Sequence, residues 1–152
     1  MVAVPAPNSS RRRLTQQDVE IICARHDRLY SARMGGARAV FAWCELHGLN
    51  LSGKNLSDAD FTGAHLVNCK LVGTRLDNAS FFGADMQGSN FTEASLRRAD
   101  LRGSCLRGAN LSGADLFEAD LREGAIASPD REKGLRIHEH ETRSGDARGA
   151  IL

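Results

Sequence analysis

Every fifth residue from Leu51 to Ile126 is large and apolar: Leu51, Leu56, Phe61, Leu66, Leu71, Leu76, Phe81, Met86, Phe91, Leu96, Leu101, Leu106, Leu111, Leu116, Leu121 and Ile126. Two residues before each of these, from Ala59 to Gly124, the side chain is Ala, Cys, Thr, Ser or Gly. A period of five fits neither the helical repeat of about 3.6 residues nor the strand repeat of about 2, so the pattern is an internal repeat rather than ordinary secondary structure. If each unit forms one short side of a coil and turns a corner, the large and the small residue point inward. The three remaining positions, rich in Ser, Asp, Asn, Arg and Gly, are those that tolerate water and tight turns.

Units such as Ala59-Asp60-Phe61-Thr62-Gly63, Ala99-Asp100-Leu101-Arg102-Gly103, Ala109-Asn110-Leu111-Ser112-Gly113 and Ala114-Asp115-Leu116-Phe117-Glu118 resemble the pentapeptide-repeat family, whose consensus is roughly Ala-Asp/Asn-Leu-X-X. The resemblance implies an all-β domain, a right-handed quadrilateral β-helix with four units per coil, in which residues twenty apart stack. The sixteen units from Leu51 to Ile126 would give about four coils. At about 4.8 Å per layer that is a rod only about 19 Å long. The stacking has an internal check: Phe41, Phe61 and Phe81 are spaced by twenty and would form one column, continued by Leu101 and Leu121. The first coil is expected to be distorted, because Leu49 and Lys54 occupy small inward positions, and an inward Lys is costly unless it reaches water.

Both ends of such a rod expose apolar surface and unpaired backbone, so the flanking segments are candidate caps. Thr15 as N-cap with Asp18 three residues on, followed by apolar positions Val19, Ile22, Cys23, His26, Leu29 and Tyr30 and stopped by Gly35-Gly36, predicts a helix over about 15–33. We expect this helix to close the first coil; a partner-binding helix is the sharper alternative, and His26 reads as core rather than ligand. The expected organisation is a disordered basic tail over 1–13, a capping helix over 14–36, the repeat β-helix over 39–127, and a tail over 128–152. In that tail Ser128 to Gly134 reads as a polar turn and Leu135 to His140 as a weak strand. The apolar Ala150-Ile151-Leu152 suggests a cap, a segment through which two copies associate, or a continuation into further repeats.

With 20 Lys and Arg against 19 Asp and Glu, net charge +1, nothing draws the chain as a whole toward nucleic acid or a membrane. No run approaches the roughly eighteen apolar residues of a membrane helix and no signal peptide is visible, so a soluble, cytoplasmic protein is expected. The four cysteines, Cys23, Cys44, Cys69 and Cys105, are spaced by no zinc pattern and are expected to be reduced. His138 and His140, with Glu139 and Glu141, could be imagined as a metal site, but a solvated polar tail explains them; no cofactor, metal site or enzyme activity is expected.

Function is then sought on the surface. Arg97, Arg98, Arg102, Arg107 and Arg122 gather at outward positions of the late coils, and Phe82 and Phe117 stand outward where the family usually carries polar residues. The plainer account is a ladder of arginines compensated by a ladder of aspartates such as Asp100 and Asp120. The sharper one is a docking strip for an acidic protein partner, with Phe82 and Phe117 adding to it, exposed Phe often marking a contact surface. The reading is a non-enzymatic interaction or structural scaffold. Its alternative is a DNA mimic acting on a type II topoisomerase, as some members of the family are. Ten acidic and eight basic residues between Leu49 and Ile126 leave the rod far from the strongly acidic surface that role implies.

Overall fold

The structure, a computed structural model, describes residues 2–3, 11–123, 126–130, 134–137 and 151. Its backbone from Val40 to Asp120 is a ladder of parallel bridges, each joining residues twenty apart: Val40↔Asp60↔Ser80↔Asp100↔Asp120 on one side, Glu45↔His65↔Asp85↔Cys105 on the next, then Asn50↔Lys70↔Asn90↔Asn110 and Asn55↔Arg75↔Ser95↔Asp115. Every bridging residue directly precedes a large apolar one. The amide of Phe61 donates to Ser80 O at 2.7 Å while that of Asp60 donates to Ala39 O at 3.0 Å, so each unit is tied to the layer above and the layer below. The bridges are isolated rather than part of extended strands, because each side is only five residues long before the chain turns. A local bond such as Ala64 N–H to Phe61 O, 3.0 Å, closes each corner.

The inward positions form one apolar core. Phe41, Phe61 and Phe81 are fully buried and stack face to face, with centroids 4.7 Å apart in both pairs, the spacing of neighbouring strands. The small inward residues that carry a polar atom turn it onto the backbone. Thr74 Oγ1 donates to Leu51 O at 2.9 Å, Ser104 Oγ to Leu101 O at 2.7 Å, and Ser89 Oγ to Leu66 O. No buried side-chain nitrogen or oxygen among the described residues lacks a partner, as burial in an apolar core requires.

Helix α1, Gln16–Tyr30, begins with a capping box in which Thr15 N–H donates to Asp18 Oδ2 at 2.8 Å and Asp18 N–H to Thr15 Oγ1 at 3.2 Å. Val19 and Cys23, with Leu14 before the helix, join the same buried cluster as Leu46, Leu51 and Leu56. Polar bonds fasten α1 to the first layer along its length. The Gln16 amide clasps the backbone of Asn50, accepting its N–H at 2.9 Å and donating to its carbonyl at 2.7 Å. Lys54 leaves its inward position by reaching Glu20 on the helix, Nζ to Oε2 2.7 Å, so its ammonium is paired at the rim rather than buried. His26, fully buried, lies 2.9 Å from Ser57 O through Nε2 and accepts the Ala39 N–H at 2.9 Å through Nδ1. It is a core residue that ties helix to solenoid.

Two segments differ from the sequence expectation. Residues 11–13, placed there in a disordered tail, add a rung before the first layer: Arg13 bridges Glu45, Glu45 N–H donates to Arg12 O and Leu14 N–H to Glu45 O, both at 2.9 Å. The open backbone of the first layer supplies those partners, whatever the side chains. Ser128 to Asp130, read as part of a turn, belongs instead to strand β2, Ile126–Asp130. That strand pairs antiparallel with β3, Gly134–Ile137, and parallel with β1, Val2–Ala3. Backbone pairing with β3 outweighs the polar composition. Ile151 docks on this chain's own solenoid, bridging Asn110, with its N–H donating to Ala109 O at 2.9 Å. No helix among the described residues is long and apolar enough to cross a membrane.

Candidate functional site

Because residues twenty apart stack, outward side chains of the last two layers are brought into contact in pairs that the linear sequence separates. Asp100 and Asp120 are neighbours on one ladder and Arg102 and Arg122 on the adjoining one. Arg102 makes a two-point contact with Asp100, Nε to Oδ1 2.9 Å and Nη2 to Oδ2 2.8 Å, and also lies 3.8 Å from Asp120. Arg122 grips Asp120 at 2.7 Å, and those hydrogen bonds hold the Asp120 carboxyl down at about 2. Around the corner Arg97 pairs with Asp115 at 2.8 Å and Arg98 with Glu118 at 2.9 Å. Arg107, exposed on the side carrying Cys105, has an interaction of its own. Arg97, Arg98, Arg102 and Arg122 therefore stand in a mutually compensated lattice of solvent-screened pairs that add little to stability.

The two outward phenylalanines have different fates. Phe82 is not an exposed contact residue: it is 8% exposed, because the Arg102 guanidinium one layer on lies 5.2 Å from its ring centroid and covers it. Phe117 is 51% exposed, with the Arg97 guanidinium 4.8 Å from its ring centroid. It shares the late end of the ladder with Leu121, 44% exposed, and with the partly buried Leu116. This corner combines a half-covered aromatic ring with charges that are already paired.

Two other clusters lie toward the start of the ladder. A shallow cleft of about 410 Å³ is lined by His26, Leu29, Tyr30, Arg38 and Asp58. Its polar groups are engaged with one another and with the backbone, the Tyr30 hydroxyl lying within hydrogen-bond reach of Ser57 O, 2.9 Å, and of the Asp58 carboxylate, so it reads as the joint between α1 and the solenoid. Burial, together with the Asp58 hydrogen bond, pushes the Tyr30 hydroxyl up to about 12. Glu45, His47 and His65 bring one potential metal-ligand atom each to within 4.8 Å of the others. Sequence reasoning passed over this trio, although the register of twenty between positions 45 and 65, with 47 on the same outward side, was available to find it. The His138, Glu139, His140 and Glu141 cluster lies outside the described residues.

A ladder in steps of twenty with a large residue inward in every unit, and a small one two before it in every unit from Ala59, defines a pentapeptide solenoid. The family model described as pentapeptide repeats matches in 8 copies over residues 39–78, 59–98 and 94–124, more than half of the chain. The chain belongs to the pentapeptide-repeat family and has its right-handed β-helix fold. Among solved structures it is similar to the pentapeptide repeat protein Rfr23 from the cyanobacterium Cyanothece 51142, with 30% identity and a TM-score of 0.57, over 75% of this chain and 64% of that one. It is also similar to HetL of Nostoc sp. strain PCC 7120, a protein involved in heterocyst differentiation regulation: 33% identity, TM-score 0.44, 62% of this chain and 43% of HetL. A third is a pentapeptide repeat protein of the Arabidopsis thaliana thylakoid lumen, 30% identical over 51% of this chain and 58% of that one, TM-score 0.32. The chain thus spans less than two thirds of the length of these proteins. No curated protein matches it.

Proposed function

We infer that the chain is a non-enzymatic scaffold, a quadrilateral solenoid of about four coils over 39–124, whose late corner around Phe117 docks a protein partner. The observation that carries this reading is Phe117: a large aromatic side chain, half exposed at an outward position, with the Arg97 guanidinium over its ring. Since Asp115, Glu118, Asp100 and Asp120 already neutralise the arginines, the partner is recognised by apolar contact within a polar rim rather than by net charge. The same compensation argues against a DNA mimic, which depends on uncompensated negative charge; supercoiling by DNA gyrase is expected to be unchanged when the protein is added.

The test places a photo-cross-linking residue at position 117 and, in a second protein, at position 72, where Val72 is exposed on a different side of the rod. The expected result is one discrete species cross-linked from 117 and not from 72, competed away by unlabelled protein but not by the Phe117→Ala variant. Equal labelling from both positions, or competition by Phe117→Ala as effective as by wild type, would overturn the assignment. The mass of the product separates a foreign partner from a second copy of this chain.

A further inference from the structure

Glu45 and His65 are successive rungs of one ladder, and His47 stands two residues after Glu45 on the same outward side. Their backbones are fixed on both sides. Glu45 N–H donates to Arg12 O and His65 N–H to Cys44 O at 2.9 Å each, while Leu46 N–H donates to His65 O at 2.8 Å. The His47 and His65 rings meet edge to face, centroids 6.1 Å apart at 85°. One donor atom from each of the three side chains lies within 4.8 Å of the others. Tetrahedral ligands around zinc, at about 2.0–2.2 Å from the metal, stand roughly 3.3 Å from one another. The exposed His47 and the partly exposed Glu45 have room to rotate toward the donor of His65, which has an interaction of its own and would exchange it for the metal.

We propose that Glu45, His47 and His65 form a binding site for a divalent transition-metal cation of the zinc class. Two imidazoles and one carboxylate suit zinc and its neighbours cobalt, nickel and copper, whereas calcium and magnesium prefer all-oxygen sets. Three protein ligands leave a fourth position for water or for a donor from a bound partner. Asp85, the next rung, is engaged elsewhere: its Oδ1 accepts from Gln87 N–H at 3.1 Å and from Gln87 Nε2 at 3.0 Å. Arg13, the preceding rung opposite Glu45, has its side chain exposed to water. A bound ion would join the first two layers across the ladder, at the end where the N-terminal segment adds its rung.

The experiment titrates zinc chloride into the whole, tag-free, chelator-treated chain by calorimetry, with cobalt spectra in parallel. We expect one equivalent bound, affinity at least about tenfold weaker in His47→Ala and in Glu45→Gln, and affinity unchanged in the His138→Ala/His140→Ala double variant. The cobalt complex should show nitrogen and oxygen ligation without a thiolate charge-transfer band. Binding below one equivalent, affinity unmoved by His47→Ala, loss in the His138→Ala/His140→Ala variant, or a thiolate band would each overturn the site. His47 is exposed, so its replacement leaves the fold intact and the readout interpretable.

Discussion

The Trp43 ring offers a direct measure of how tightly successive layers are seated. Gly63, one layer above Trp43, has φ +62, and a Cβ added there would lie 2.1 Å from Trp43 Cζ3 and 2.2 Å from Cε3. Gly73 has nearly the same backbone, φ +63, with nothing within 4 Å of its would-be Cβ. Gly73→Ala therefore reports the left-handed conformation alone. That costs about 1–2 kcal/mol, partly offset by about 0.4–1 kcal/mol from the stiffer unfolded chain, for a net of roughly 0.5–1 kcal/mol. Gly63→Ala must in addition push the indole off the backbone and away from the Arg11 guanidinium, which sits 5.6 Å from the ring centroid. Lost packing and the cation–π contact add about 1.5–2 kcal/mol. Urea unfolding followed by far-ultraviolet circular dichroism should give a midpoint distinctly lower for Gly63→Ala than for Gly73→Ala. Emission of the single tryptophan should shift to the red as the ring moves into water. In a Trp43→Ala background the Gly63→Ala cost should fall to that of Gly73→Ala, a coupling of about 1.5–2 kcal/mol. Equal midpoints for the two glycine variants, with unchanged emission, would refute the seating of Trp43 on Gly63.

Phe61 stacks on two rings and Phe41 on Phe61, so Phe61→Leu should cost about 0.5–1.5 kcal/mol more than Phe41→Leu in urea unfolding; equal costs would mean the column is filler and ring stacking adds nothing. His26→Phe keeps the ring volume but leaves the buried Ala39 N–H without its acceptor, so a loss of about 1–3 kcal/mol is expected, and a neutral outcome would contradict the role of His26 as a tie. Burial raises the thiols of Cys23 and Cys69 from 9.0 to about 11. The neutral thiol is favoured in the fold, so this stabilisation is complete below pH 9 and is lost as pH rises from 9 to 11. Alkylation mapped by mass spectrometry at pH 8 should spare both until the chain is unfolded, and prompt labelling of Cys69 would overturn that.

The repeat region is legible because the large inward position recurs without interruption from Leu51 and the small one from Ala59; stacking by twenty is what the family resemblance implies, and the phenylalanines at 41, 61 and 81 agree with it. What sequence missed shares one cause: it depends on what lies one layer away or on another element. Phe82 is outward by position yet covered, since Arg102 stands twenty residues on. Lys54 stands at an inward small position, where a charge is costly, but its escape to Glu20 exists only because α1 crosses the first layer. Residues 11–13 pair through backbone atoms, which leave no mark on side-chain composition. In the candidate corner, the paired ladders of Asp100 and Asp120 with Arg102 and Arg122 were readable from the register, whereas the contrast between Phe82 and Phe117 was not.

That contrast bears on where a solenoid of this kind can carry function. In the middle layers every outward side chain has a neighbour 4.7 Å or so above and below, so an aromatic residue there is covered by the next layer, as Phe82 is by Arg102. Toward the ends the cover thins: Phe117, Leu121 and Ile151 are about half exposed late in the ladder, and His47 is exposed in its first layer. The two proposed contact sites, around Phe117 and around His47, therefore lie at opposite ends, while the interior layers fix their distance and orientation. Lengthening the rod by a coil would move the two apart by about 4.8 Å without altering either, a freedom that a five-residue unit supplies and a folded globular core does not.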